Sequence, residues 1–506
     1  MMKILSVDKI READDYTIKN EPIESIDLME RAATACFSWL IAHIHAAKRF
    51  LVFCGNGNNG GDGLVLARLL KQEGFSVLVF MPSQHEQLSA DCKTNAARWL
   101  KLPDAGIIQI SSNTKLPEIL PSDIVVDALF GSGLKRPAEG FFATLIEHIN
   151  QHQALVISID VPSGLFCDQS NRDKFAPVVK ADYTLSFSPP KFSFLFPENE
   201  SFVGDWQLLD IGLMQTFLEK VEVNNYYVDR AFVKNILRKR NKFAHKGDFG
   251  HALLICGSSG KIGAAVLAAR ACLRSGPGLV SIRVPGFGAS ILQAGVPEAM
   301  LCIDPDLNIF TEVPDLQQYS SIAIGPGLGQ HQATAKALKL LIQTVQTPLI
   351  IDADAINILA ENKTWISFLP KACIFTPHVK EFERLAGKSR NDFERNKIQR
   401  DFSFRYKAYV VLKGAYTAIT TPEGNCFFNS TGNPGMATGG SGDVLTGIIA
   451  GILAQGYSSL EACLLGVYLH GLAGDLAVSV SGYEALIAND ITENLGKAFQ
   501  SLYGKF

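Results

Sequence analysis

Two glycine-rich stretches of this 506-residue chain end on or beside a carboxylate: GNGNNGGDG (55–63), containing Asp62, and GGSGD (439–443), ending at Asp443. Glycine admits positive φ and a close backbone approach to a ligand, and a helix starting after such a turn offers unpaired N–H groups to an anion. The first stretch has company. DALFGSGL (127–134) opens on Asp127 and DVPSGL (160–165) opens on Asp160. With Asn58, Asn59 and Ser163 these carboxylates form a mixture of charged and neutral oxygens suited to a weakly held alkali cation or to proton transfer. For Asp127 taken alone, a loop cap is the structural alternative. The loop lacks the G-K-[ST] ending of a P-loop.

The second stretch lies in NPGMATGGSGDVLTGIIAGILAQG (433–456), where an apolar helix follows the glycines. Backbone N–H groups of Gly440 to Gly442 can receive a phosphate or the charge that develops in a transition state, with Asp443 beside them as a base. Stabilisation of the helix dipole also selects a carboxylate in the first turn. Further small-residue loops follow at GSSGKIGAA (257–265), GPGLG (325–329) and DADAIN (352–357). Ala264 and Ala265 leave room for a ligand or for close packing of a crossover helix.

These loops need strands to hold them. RFLVFC (49–54), SVLVF (76–80), DIVVDAL (123–129) and LVISID (155–160) read as buried strands separated by helix-length segments, after a helical pattern over 26–46. A polar stretch at 219–229 interrupts the rhythm. It resumes with ALLIC (252–256), LVSIRV (279–284), IAIG (322–325), LIID (349–352), CIFT (373–376) and YVVLKG (409–414). Strands alternating with helices imply parallel α/β sheets, whose ligands bind at the carboxyl ends of the strands. The expected division is a first domain over 1–215, a linker over 216–229 and a second domain over 230–506.

Composition agrees with a globular protein whose ligands are small molecules. The apolar fraction is 47%, charged residues make up 19%, and the formal net charge of −3 is not that of a nucleic-acid binder. Ten scattered cysteines without a C-x-x-C pair predict reduced, apolar-behaving thiols rather than zinc or redox chemistry. The start lacks a secretory pattern and no uninterrupted apolar run approaches a membrane span, so the expectation is a cytoplasmic protein without membrane contact, forming a homo-oligomer.

The motifs GNGNNGGDG, DALFGSGL and DVPSGL resemble those of the NAD(P)HX epimerase family, the YjeF N-terminal domain. That resemblance implies a Rossmann-like three-layer α/β/α domain that interconverts the R and S hydrates of NADH and NADPH. It implies contacts to the hydrated cofactor from Asn58, Asn59, Gly60, Gly61, Asp62, Gly131, Ser132, Gly133, Leu134, Lys135, Arg136, Pro137 and Asp160. It also implies K+ held by Asn59, Asp127 and Ser163. Asp160 is the candidate proton carrier. KGDFGHALLICGSSGKIGAA, GPGLG, DADAIN, TPHVKEFERLAG, KGAYT and GGSGDVLTGIIAG are similar to those of the ADP-dependent NAD(P)HX dehydratase family, with a ribokinase-like α/β fold. Here the resemblance implies contacts to the hydrate from Ala264, Gly327, His378 and Asp443. Lys413, Gly414, Ala415, Tyr416 and Thr417, with Gly442, would hold ADP and its Mg2+. Phosphorylation of the hydroxyl would make it a good leaving group, releasing AMP and phosphate. An ordinary loop histidine is the alternative for His378, a hydroxymethylpyrimidine- or sugar-type kinase for the second half, and a binding or dimerisation module for the first. The aromatic segment 189–203 has no role assigned by these motifs.

Overall fold

The computed structural model describes residues 1–44, 49–83, 88–172 and 176–503, arranged as two α/β units. One unit comprises Lys3–Val223 with Asn391–Phe393; the other comprises Asn224–Arg390 and Glu394–Phe506 with Met1–Met2. The segment 216–229 holds most of the helix Gln215–Lys220 and the strand Asn225–Val228, and the division falls after Val223.

The first unit is built on a seven-stranded parallel sheet. Its order is Ile107–Ile110, Ser76–Pro82, Arg49–Cys54, Ile124–Ala128, Leu155–Ile159, Tyr183–Phe187 and Asp205–Leu209. Successive side chains of a strand point to opposite faces. Accordingly Phe50, Val52 and Cys54 enter one apolar cluster while Leu51 and Phe53 enter another, which is the three-layer arrangement. The expected helix over 26–46 is Ser25–His43, and residues 45 and 46 lie outside the described residues.

The second unit repeats the construction with different ends. Seven parallel strands run in the order Met300–Ile303, Leu279–Val284, His251–Ile255, Ser321–Ile324, Leu349–Ile351, Ile374–Phe375 and Tyr409–Leu412. Antiparallel Ala418–Thr420 and Cys426–Asn429 follow, and then Asn225–Val228, parallel to its neighbour. Ala252 and Leu254 pack on one face with helices Ile262–Arg274 and Ser441–Ala454; Leu253 and Ile255 pack on the other with Gln332–Thr344 and Ala353–Glu361. The helix Ser459–Ser481 is long and apolar enough to cross a membrane by length and composition alone. Glu461, His470 and Asp475 interrupt its apolar run, and most of it is buried in the core.

All ten cysteines are free thiols and nine are buried, as small apolar residues would be. The modest net charge conceals a local basic run, Arg238, Lys239, Arg240 and Lys242. Within it, Arg238 pairs with Glu461 and stacks on Tyr457, while Arg240 stacks on Phe249.

Candidate functional site

In the first unit the strand Arg49–Cys54 runs into Gly55–Gly57 and the helix Asn58–Gln72 starts at once. Several of these glycines serve packing. A Cβ at Gly55 would strike the Leu129 carbonyl, one at Gly60 the Gly55 carbonyl, and one at Gly61 the Met29 sulfur at 2.6 Å. Asn58 is exposed at the helix start. Asn59 is buried, and among the described residues neither its Nδ2 nor its Oδ1 has a hydrogen-bond partner. Buried amides are seldom left unpaired, so Asn59 points to a ligand.

Asp127 lies within the strand Ile124–Ala128, and it caps the loops beyond it, as the structural alternative expects: Leu129 N–H donates to its Oδ1 at 3.3 Å. Its carboxylate accepts from Ser163 N–H (2.8 Å), Ser163 Oγ (2.5 Å) and Ser158 Oγ (2.8 Å). Burial raises its pKa, against the pull of these donors. Asn59, Asp127 and Ser163 are hard oxygen donors, and one of them is an unpartnered buried amide oxygen. That set fits an alkali cation.

Asp160 follows the strand Leu155–Ile159 with a φ of 64°, a left-handed conformation that costs a non-glycine residue about 1–3 kcal/mol and is found at functional positions. Its Oδ1 lies 2.9 Å from the ammonium of Lys191, and Ser132 N–H donates to Oδ2 at 3.1 Å. Burial pushes the Asp160 carboxyl up, but Lys191 and Ser132 outweigh it and hold the group below the ordinary carboxylate value. Asp62 is the opposite case: burial first, then Asp160 and Asp14, push its carboxyl well above the ordinary carboxylate value. A Cβ on Gly131 would stand 3.3 Å from Asn59 and from Asp160 Oδ2, which places these three together. Along the same loop Gly133, Lys135 and Arg136 are exposed, and Leu134 and Pro137 are half-buried.

Lys191 carries this pair and was not among the expected site residues. It is the only cation of PPKFSFLFPEN, it is fully buried, and it donates to the Phe187 carbonyl at 2.6 Å. A lone lysine inside an aromatic run must find an anion when it is buried, and that signal was available in the sequence.

In the second unit a cavity of about 440 Å³ gathers Lys261, Ala264, Gly327, Asp354, Glu381 and Asp443. Ala265 turns instead into the core, so the two small residues divide the alternatives between them. Gly327 has a φ of 61°, and a Cβ there would lie 2.9 Å from that of Ala264. Asp443 stands in the first turn of Ser441–Ala454, which begins after Gly440 in a left-handed conformation (φ 89°). No hydrogen bond or ion pair among the described residues holds its carboxyl. Burial, then repulsion from Asp352, pushes it up to about 6 against the attraction of Lys413.

Lys413 ends the strand Tyr409–Leu412, and its ammonium would be 3.2 Å from a Cβ on Gly442. It pairs with Asp352 Oδ1 at 3.0 Å and lies 4.0 Å from Glu381. Gly414, Ala415, Tyr416 and Thr417 form the turn to the next strand. Thr417 Oγ1 donates to the Gly414 carbonyl, and Tyr416 is left-handed at a φ of 49°. His378 is neither a plain loop residue nor part of the cavity lining. Its Nδ1 accepts from Lys380 N–H (3.1 Å) and Glu381 N–H (3.3 Å) as the cap of Val379–Ala386, and its backbone bridges to Lys413. Glu381, three residues on, is the member of that motif that lines the cavity, and Asp354 does so from DADAIN.

A family model described as NAD(P)H-hydrate dehydratase matches residues 252–497, and one described as YjeF-related protein N-terminus matches 25–193. The bifunctional NAD(P)H-hydrate repair enzyme of Moorella thermoacetica is 35% identical over 99% of this chain and 97% of its own. That of Escherichia coli is 32% identical over 93% and 88%. A solved ADP/ATP-dependent NAD(P)H-hydrate dehydratase from Bacillus subtilis, co-crystallised with ATP/Mg2+, is 30% identical, covering 56% of this chain and 100% of that one, with a TM-score of 0.49. By its identity to relatives matched end to end, the chain belongs to the family of bifunctional NAD(P)H-hydrate repair enzymes.

Proposed function

We propose that the first unit interconverts the R and S hydrates of NADH and NADPH, and that the second removes water from the S hydrate with ADP as phosphoryl donor, releasing AMP and phosphate. The observation that carries the reading is Asp443, an unpaired carboxyl at the glycine-rich start of a helix, facing a cavity lined by Ala264 and Gly327.

In the second unit Asp443 takes the proton of the substrate hydroxyl as that oxygen attacks the terminal phosphorus of ADP. Its elevated pKa makes it a stronger base than an exposed aspartate while leaving it mostly ionised at neutral pH. N–H groups of the 440–442 turn and the Lys413 ammonium face the charge that builds on the transferring phosphoryl group. The 413–417 turn holds the nucleotide. Mg2+ enters with the phosphates and offsets their charge; no cage of three His, Cys, Asp or Glu occurs among the described residues.

In the first unit Asn59, Asp127 and Ser163 would hold K+, which supplies a fixed positive charge beside the substrate's oxygens. Asn58 to Asp62 and the 131–137 loop bind the hydrated cofactor, and the ionised Asp160 exchanges a proton with the C6 hydroxyl group. A cytoplasmic location accords with ten unpaired thiols.

Paired variants test the division of labour. Asp443→Asn loses dehydration and keeps epimerisation, and Asp160→Asn does the reverse. Loss of both activities in either folded variant contradicts the assignment.

A further inference from the structure

The helix Val7–Asn20 precedes every motif so far assigned a role, yet it is fastened to the rim of the first site. At its start Val7 N–H donates to Asp168 Oδ2 (2.8 Å), in the segment that follows DVPSGL. One turn on, Arg11 Nη2 donates to the Gly133 carbonyl at 3.4 Å and closes over Gly133 so tightly that a Cβ there would lie 2.8 Å away. Residues three apart share a helix face, so Asp14 follows Arg11 on the face held against these two loops. Asp14 is half-buried, and no hydrogen bond or ion pair among the described residues holds its carboxyl. Its electrostatic neighbours are Asp160, Lys191 and Asp15, and it acts in turn on Asp62. Beside Asp160 and Gly131 stands Asn59, buried with both amide atoms unpartnered among the described residues, so polar groups that a ligand would satisfy lie next to Asp160.

We propose that Asp14 is the second catalytic residue of the epimerase site, the acid that works opposite Asp160. This rests on the epimerase reading of the first unit. Epimerisation at C6 requires the hydroxyl to leave one face and return on the other. Asp14 gives its proton to the departing oxygen; the C6–O electron pair leaves with water, and the N1 lone pair forms the N1=C6 bond. Water then adds to the opposite face of C6, the π pair returns to N1, and Asp160 takes the proton that the water loses. The reverse direction exchanges the two roles, and solvent resets both carboxyls. One reaction with one acid and one base needs two carboxyls in different protonation states, and their surroundings provide them. Lys191 and Ser132 keep Asp160 ionised, while burial first, and then the charge of Asp160, lift Asp14 to about 7.

The test uses the full-length chain with separated R and S hydrates, following their interconversion by chromatography and dehydration of the S hydrate in the same preparation. Asp14→Asn is expected to lower the epimerisation kcat about 100-fold or more, to change KM less than about threefold, and to leave dehydration unchanged. Asp14→Glu, which keeps the proton, is expected to recover at least a tenth of the rate, and the limb near pH 7 present in the native profile is expected to be missing from that of Asp14→Asn. Dehydration by the same molecules reports only on the second unit, so thermal unfolding with two transitions checks that the first unit of each variant is folded. A folded Asp14→Asn that epimerises within about threefold of the native rate, or retains that limb, overturns the role of Asp14 alone. A native chain that does not interconvert the hydrates overturns the epimerase reading and this inference with it.

Discussion

The Lys413 ammonium lies 3.0 Å from Asp352 Oδ1, and the Thr446 hydroxyl donates to Asp352 Oδ2 at 2.7 Å. Asp352 is thereby committed to holding Lys413 beside Gly442, and Asp443 is left as the unpaired carboxyl of the cavity. The sheet places Asp352 and Lys413 at the carboxyl ends of two strands separated by one other, so the ion pair spans the strand edge where the ligand is expected.

Lys413→Ala removes a cation from two groups at once. Asp352 is left without its partner, and breaking a buried pair costs about 3–5 kcal/mol. Asp443 loses its main attraction and its pKa rises further above 6. The expected result is a lower melting temperature for the second unit and a rate profile displaced toward alkaline pH, read by calorimetry and by dehydration kinetics.

The native dehydration profile follows from the same carboxyl. Asp443 acts as a base only when ionised, so kcat/KM rises with pH through about 6 and then levels. Asp443→Asn is expected to lose about 10²- to 10⁴-fold in rate, together with this acidic limb.

Asp14 makes a prediction about stability as well. Its folded pKa, about 7, exceeds its ordinary value of 3.8, so between these the folded state binds more protons than the unfolded state. Stability therefore falls as pH rises from about 4 to 7, and the penalty stays in force above that. Asp14→Asn is expected to stabilise the first unit by about 1–3 kcal/mol at pH 8 and by little at pH 4, as a denaturant titration at each pH would show.

Gly327→Ala probes the cavity wall. With a φ of 61°, and 2.6 Å from its added Cβ to the Lys261 carbonyl, alanine must strain the GPGLG turn or displace Ala264. A loss of about 1–3 kcal/mol in stability and a raised KM for the hydrate are expected, with epimerisation unchanged.

Much of this was legible in the amino-acid sequence, and the parts that were not have physical reasons. Strands buried on both faces, such as Arg49–Cys54 and His251–Ile255, stand out as apolar runs. Ile107–Ile110, Asp205–Leu209 and Met300–Ile303 lie at sheet edges and are half exposed, so their pattern fades into the loops around them. Tyr183–Phe187 is central but carries buried Thr184 and Ser186, which break its apolar run. Loops rich in glycine marked where the sites lie, since strand ends collect them. They did not reveal Asp14 or Glu381, because each reaches its site from an element whose position only the tertiary fold decides; Lys191 is marked instead as the lone cation of an aromatic run. His378 shows the converse: its motif is in place, yet its imidazole caps a helix while its neighbour Glu381 lines the cavity.

The most direct test of the whole account is an assay of the purified chain on separated R and S hydrates of NADH and NADPH, with ADP, with ATP and without nucleotide. Reduced nicotinamide is followed by its absorbance at about 340 nm. The account predicts that both hydrates are fully consumed with ADP, with AMP and phosphate released, and that without nucleotide the hydrates interconvert but do not regenerate the cofactor. Failure to consume either hydrate under all three conditions, or accumulation of a stable phosphorylated product, would contradict it.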